Sequence, residues 1–405
     1  MKSEFPSLTW LDLTSADRDK ARRVLDLFKE QGTVDELGLG SLRDAFADAL
    51  FPGTSTLYTR LRYFLFIPWV YRRPEQRARV GDIAERARIA EIDLIGHLVA
   101  SGEEEGVIGI QAKDKLRRLP SSAYWAGLSK WGLFVPGKSQ GWYHSHFDAL
   151  VRRGAGMAKA DDPGVSLEIE RTWNPHLPSA PEGFPEGATF VLRREEALFL
   201  LESINHYCAG SLLAWLASEG KGTPAASLWE DPVAWRAPGE AARTLELARR
   251  FSHVMEGAPL FYNLMLAERR HDLEGGEDDL KRQEGYRSEF LEWAGGAAED
   301  LQAFPVVDLW AFATREGIRQ VEPQRQFIER WIAQMAALGG EAALQSEDLK
   351  RLIEHRELSL KKGRARLTNR GRLLDWNGRV GVGRMQFRWP QVRQILTDLR
   401  HGLGR

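Results

Sequence analysis

Between residues 195 and 357 the apolar side chains return every three or four positions, segment after segment, and this constrains the chain more than any other feature. A pattern with that period buries its apolar stripes only by packing helix on helix. In segment 195–217 the residues Leu198, Phe199, Leu201, Ile204, Leu212, Trp215 and Leu216 spread around much of the circumference, as in a helix surrounded by others. The same spacing runs through 241–255, 259–270, 286–293, 305–314, 323–338 and 346–357, with few β-branched runs. The predicted fold class is therefore mainly α with a minor β element.

The N-terminal part carries the same signal in shorter pieces. Thr14 with Asp17 opens a predicted helix whose stripe is Val24, Leu25, Leu27 and Phe28 and which ends near Gly32. The block TVDELGLGSLRDAFADALFPGTSTLYTRLRYFLFIPW, residues 33–69, comes next: turn glycines, a helical piece over 42–50, a break at FPGTS, and an aromatic segment expected to stop at Pro68. Ile83, Ala87, Ala90, Leu94 and Leu98 predict a helix over 81–100, and Tyr124, Leu128 and Trp131 another that starts after Pro120 and ends at Gly132. Four regions result. They are a multi-helix N-terminal domain (1–153), a Pro/Gly-rich connection (154–190), a helical array (191–358) interrupted by a linker near 219–240, and a basic C-terminal lobe (359–405) with a β-hairpin expected around Met385 to Trp389.

At 405 residues and 43% hydrophobic content the chain can bury a sizeable core. A single cysteine, Cys208, excludes an internal disulfide and a cysteine-based zinc cluster and fits a reducing compartment. The start MKSEFPSLTWLDL has no basic flank or apolar core of a secretory signal, and the longest apolar run, YFLFIPWV over 63–70, is far shorter than a bilayer span of roughly 20 residues. The expected location is the cytoplasm. Net charge is −1, yet residues 361–405 hold twelve Lys or Arg against two Asp. The tail is thus strongly basic and the body acidic.

Several local patterns suggest chemistry, and each has a structural alternative. Gly132 to Ser139 fits the phosphate-loop pattern G-x4-G-K-S, but bulky Leu-Phe-Val-Pro fills the interior and a helix, not a strand, is predicted before it, so nucleotide binding is not expected. His144 and His146, two apart in Trp-Tyr-His-Ser-His, would share a face if extended and bind a metal with a third ligand such as Asp148; the alternative is packing in an aromatic loop. Asp93 and His97 sit four apart on a predicted helix, where an acid/base pair competes with an ordinary polar face. Cys208 falls on a buried helix and is expected to pack, not react. In block 33–69 the acids Asp35, Glu36, Asp44 and Asp48 are candidate ligands of a divalent ion and catalytic groups, and Arg60 and Arg62 candidate phosphate holders; a salt-bridged structural element is the alternative.

The tail offers the clearest binding signal. Arg364, Arg366, Arg370, Arg372 and Arg384, with Lys361, Lys362, Arg379 and Arg388 beside them, are candidate phosphate contacts, and Trp376, Trp389 and Phe387 candidate stacking platforms for bases. Pairing with the acidic body is the competing use of the same charges.

The phrases TVDELGLGSLRDAFADALFPGTSTLYTRLRYFLFIPW, LPSSAYWAGLSKWGLF and GRARLTNRGRLLDWNG…FRWPQV resemble, in that order, a bacterial domain-of-unknown-function family of about 400 residues. The resemblance covers the first 135 and last 45 residues well and the middle in general character. It implies an association with helicases and methylases of genome-defence islands and supplies no catalytic residues. Together these readings predict an accessory nucleic-acid-binding component, for DNA before RNA, of an anti-phage defence or DNA-modification system, with helicase or methylase partners. A metal-dependent nuclease or base-modifying enzyme and a helical scaffold are the alternatives.

Overall fold

A computed structural model of the chain describes residues 35–76, 82–157, 172–319 and 322–405. The chain divides into two units, Met1–Asp35 and Glu36–Arg405, and every described helix belongs to the second. The helix expected over 14–32 lies outside the described residues.

The protein is mainly α, and most of the helices expected from the spacing are present. The single helix expected over 195–217 is instead two, broken over Cys208 to Ser211 where Gly210 takes φ 76° and Ser211 caps the second, so Cys208 is buried in a turn and not on a helix. In chain order the helices are α1 (Gly40–Leu50), α2 (Tyr63–Gln76), α3 (Ile83–Ala100), α4 (Pro120–Lys130), α5 (Gln140–Met157), α6 (Arg194–Tyr207) and α7 (Leu212–Glu219). Then come α8 (Gly239–Glu274), α9 (Glu277–Gln302), α10 (Val306–Arg315), α11 (Glu322–Leu344), α12 (Glu347–Lys361), α13 (Arg370–Leu374) and α14 (Trp389–Leu403). Several ends carry ordinary caps. Asp82 accepts the N–H groups of Ala84 and Glu85 at the start of α3, Ser346 that of Leu349 at the start of α12, and Gly275, left-handed at φ 68°, closes α8.

The centre of the unit is α8, 36 residues long, buried on nearly every side from Gly257 to Ala267. The spacing predicts two helices here with a break before Pro259, but the chain runs through it. Proline removes a single backbone bond, and the packing around this turn makes continuity favourable. The antiparallel α9 lays Trp293 on Gly257 so closely that a Cβ there would meet the ring 2.1 Å away, and Trp331 of α11 donates its indole N–H to the Val254 carbonyl at 3.0 Å. Pro68 behaves alike: the sequence predicts a stop there, and instead α2 continues to Gln76. Residues from Leu61 to Tyr71 are all buried, with Phe64 stacked on Trp131 at 4.0 Å between centroids, so the surrounding aromatics hold the turn that proline weakens.

The tail differs most from expectation. No strand occurs among the described residues, only an isolated bridge between Phe134 and Trp173, and the β-hairpin expected in the C-terminal lobe is absent. Phe387 and Arg388 both take positive φ, 47° and 66°, which an extended strand excludes. The alternation around them has another cause. Phe387 and Trp389 enter the core while Arg388 between them turns to Asp48 and the Thr54 carbonyl, and α14 then buries Val392, Ile395, Leu396, Leu399 and Leu403 against α6 and α7. The last helix is thus part of the main core. No helix among the described residues is long and apolar enough to cross a membrane.

Candidate nucleic-acid interface

The cations of the tail fall into two groups. In the first, the chain that leaves α12 at Lys361 turns through Lys362, left-handed at φ 52°, into a short 3-10 turn over Lys362–Arg364. Ala365 and Leu367 then pin the segment into the core. Asn369 closes the loop twice: its amide donates to the Gly363 carbonyl at 2.8 Å, and its oxygen accepts the Arg372 N–H that starts α13. This short, anchored segment holds Lys362, Arg364, Arg370 and Arg372 exposed. Among the described residues Lys362, Arg364 and Arg370 have no ion-pair partner, and Arg372 has only Asp375, 3.5 Å away at the surface.

In the second group the protein uses the cations itself. Arg379 pairs with Glu289 at 3.1 Å, and Arg388 with Asp48 at 2.6 Å and the Thr54 carbonyl at 2.9 Å. Arg384 lies over the Trp229 ring, 4.9 Å from its centroid, and donates to the Ser252 hydroxyl and the Arg249 carbonyl. The expected stacking platforms are core residues. Trp389 is fully buried with its indole N–H on the Ala225 carbonyl, Trp376 is 2% exposed beneath the Arg270 guanidinium, and Phe387 packs on Phe46 and Trp229. None of the three offers a face to a base. The tail can therefore present phosphate contacts without stacking.

Lys361 and Arg366 stand between the groups. Both donate to the same oxygen of buried Glu36, Arg366 at 2.7 Å, and Lys361 also reaches Glu357 at 3.1 Å. Glu357, fully buried, accepts the Tyr262 hydroxyl and the backbone N–H groups of Arg366 and Leu367. Burial first, and the Glu357 carboxylate beside it, hold the Tyr262 hydroxyl well above its ordinary range, so it remains a donor. Glu36 is fixed here because Arg356 of α12 donates to the Leu37 and Gly38 carbonyls and Gln324 of α11 to that of Gly38. Neither Tyr262 nor Glu357 stands out in the sequence, since each sits within an ordinary helical stripe.

The acids of block 33–69 do not gather into one site. Glu36 faces the tail cations, Asp44 pairs with its neighbour Arg43 on α1 and is pushed up by burial, and Asp48 projects from α1 to Arg388. Asp35 lies exposed before them. Among the described residues no cluster of three metal-donor side chains exists. Arg60 and Arg62 also diverge: Arg60 grips Asp398 of α14 with Nε 3.1 Å from Oδ2, and Arg62, buried, donates to Glu196 at 2.9 Å and the Thr189 carbonyl at 2.8 Å. They join elements, and neither is open to a phosphate.

His144 and His146 lie on helix α5, where a separation of two positions turns them roughly 200° apart instead of onto one face. His144 meets the Tyr71 hydroxyl at 3.1 Å, its burial lowering its pKa, while His146 stacks on Trp142. Gly132 to Ser139 is an irregular link between α4 and α5 with no strand before it; the Lys138 carbonyl accepts the Trp125 indole and Ser139 caps α5. A cleft of about 300 Å³ is lined by Asp48, Lys130, Tyr207, Cys208, Glu240 and Arg315. Glu240 and Arg315 neutralise each other at 2.7 Å, and burial pushes the Cys208 thiol up to about 11, so the cleft holds no activated nucleophile.

Over residues 5–402 the chain matches the family described as "Family of unknown function (DUF6361)". No curated protein and no solved structure matches it.

Proposed function

The chain belongs to the DUF6361 family, and from that premise we propose that it binds nucleic acid, DNA before RNA, through the phosphate backbone at the loop over residues 362–372. One observation carries the reading: Lys362, Arg364, Arg370 and Arg372 stand exposed on one anchored segment without internal counterions among the described residues, apart from the loose Asp375 contact, while the later cations are consumed by the fold. Four such charges can neutralise backbone phosphates, and the burial of Trp376 and Trp389 argues for contact that is indifferent to sequence. The anchoring of the loop by Ala365, Leu367 and Asn369 lowers the ordering cost of binding.

The biological role we infer is that of an accessory component of a bacterial anti-phage defence or DNA-modification system. It rests on the resemblance to proteins encoded among helicases and methylases, which are also the expected partners. Fluorescence anisotropy with a labelled duplex, titrated at several salt concentrations, tests the binding. Four phosphate contacts give a slope of log K against log salt of about −3.5, and R364A/R370A/R372A should make it shallower by about 3. Binding that is absent at low salt, or indifferent to salt, overturns the reading.

A further inference from the structure

The same loop is flanked by a cationic subsite that the chain fills with its own carboxylate. We propose that Lys361 and Arg366 form a binding site for one phosphodiester group of the nucleic acid, occupied in the free protein by Glu36, which the phosphate displaces. The inference rests on the phosphate-binding reading of residues 362–372 and adds to it a site that opens on engagement.

Three features support it. Both cations converge on one oxygen of Glu36, while the other oxygen, Oε1, is buried with no hydrogen-bond partner. A carboxylate held on one oxygen only is imperfectly satisfied, and a buried polar atom left so is costly. The tetrahedral phosphodiester has two unesterified oxygens and the same charge, so it replaces Glu36 without changing the balance. That balance is specific: Glu357 stays paired with Lys361 and with the backbone of Arg366 and Leu367, leaving one net positive charge for one monoanion. Finally, Lys361 and Arg366 bracket exposed Lys362 and Arg364 along the chain, and their side chains keep 16% and 22% exposure against 2% for Glu36. A backbone lying on the loop therefore reaches them from the solvent side.

Displacement requires only that the Glu36 side chain swing away, since the Leu37 and Gly38 carbonyls behind it are held by Arg356 whether or not the carboxylate is in place. The test compares wild type with E36Q, which keeps the shape and removes the competing charge. E36Q should bind the duplex more tightly than wild type, with a salt slope steeper by about 1, and R366Q added to it should return the slope to the wild-type value. An E36Q protein that melts cooperatively and binds with the wild-type slope overturns the proposal and leaves the loop reading standing. If E36Q does not fold, E36D, which keeps the charge but retracts it by one methylene, should give an affinity above wild type; an affinity equal to or below wild type counts against displacement. If neither wild type nor E36Q binds the duplex, the loop reading fails, and inorganic phosphate serves as the probe. A rise in the melting temperature of E36Q with phosphate, larger than in wild type, then supports the subsite alone, and an equal response in the two proteins overturns it.

Discussion

Residues 361–372 and residues 376–405 each hold six Lys or Arg and are punctuated by glycine, the second region with many more apolar residues, and most of their cations meet opposite fates. After Trp376 all six arginines find acceptors within the protein. Arg379 and Arg388 reach carboxylates, Arg384 a hydroxyl and a carbonyl, and Arg393, Arg400 and Arg405 the carbonyls of Pro224, of Leu216 and Gly222, and of Ser218. Before it, Lys362, Arg364 and Arg370 have no carboxylate partner among the described residues. The difference lies in the apolar residues next to each cation. In the second region Trp389 and the stripe of α14 draw the chain into the core, so Arg400 and Arg405 arrive beside the Leu216 and Ser218 carbonyls at the end of α7, where donors are needed, and the others beside acceptors of the loops and neighbouring helices. In the first, only Ala365 and Leu367 are pulled inward with Arg366 between them, and Lys362, Arg364, Arg370 and Arg372 stay in water.

Substitutions should separate the two regions, and the largest effect belongs to the core anchor. W389A removes a fully buried indole and should cost about 3–5 kcal/mol, read as a large fall in the urea midpoint; a tail that is merely a solvated lobe would lose almost nothing. The contrast between buried and solvated charge also appears among the acids, within two residues of each other on α3. Asp93 is largely exposed, whereas Glu91 is fully buried, one oxygen accepting the Ser121 N–H at 2.7 Å, and burial pushes its carboxyl up to about 7 from 4.5. The native protein then binds more protons than the unfolded chain between pH 4.5 and 7, so this group makes stability fall as pH rises through that window and level off above it. The span amounts to about 3 kcal/mol. E91Q, whose amide oxygen still accepts from Ser121, should flatten the decline in melting temperature from pH 5 to 7.5; equal slopes in the two proteins would show that Glu91 does not titrate there.

Next in size is R400A. Arg400 is 2% exposed and donates to the Leu216 and Gly222 carbonyls, both at 3.1 Å, so its removal should cost about 2–3 kcal/mol in chemical denaturation. The smallest effect belongs to the loop. R364A and R370A should each shift stability by less than about 0.5 kcal/mol, because neither side chain is held by a carboxylate of the described residues. A larger loss would mean that the loop is part of the frame, as the end of the tail is.

Much of the fold is legible from local pattern. The spacing of Leu94 and Leu98 and the stripe over 346–357 each involve residues a turn or two apart, and their helices form where expected, while the helix expected over 286–293 is the middle of the longer α9. Pro68 and Pro259 are read wrongly for a reason that is not local: whether a helix survives a proline depends on the aromatic rings packed around it. The candidate site divides in the same way. Lys362, Arg364, Arg370 and Arg372 are visible as a charge cluster, but that they are solvent-facing while Arg384 and Arg388 are not is hidden in the sequence.

The amino-acid order alone thus suffices for the helical class, the positions of most helices and the basic character of the last 45 residues, because periodicity and charge are properties of neighbours in the chain. Which charges remain for a ligand depends on pairings such as Glu36 with Arg366, separated by 330 positions, and Arg60 with Asp398, separated by 338. Those contacts arise from how the helices stack. Only the folded chain brings such distant groups within hydrogen-bond distance and so sorts one run of arginines into frame and surface.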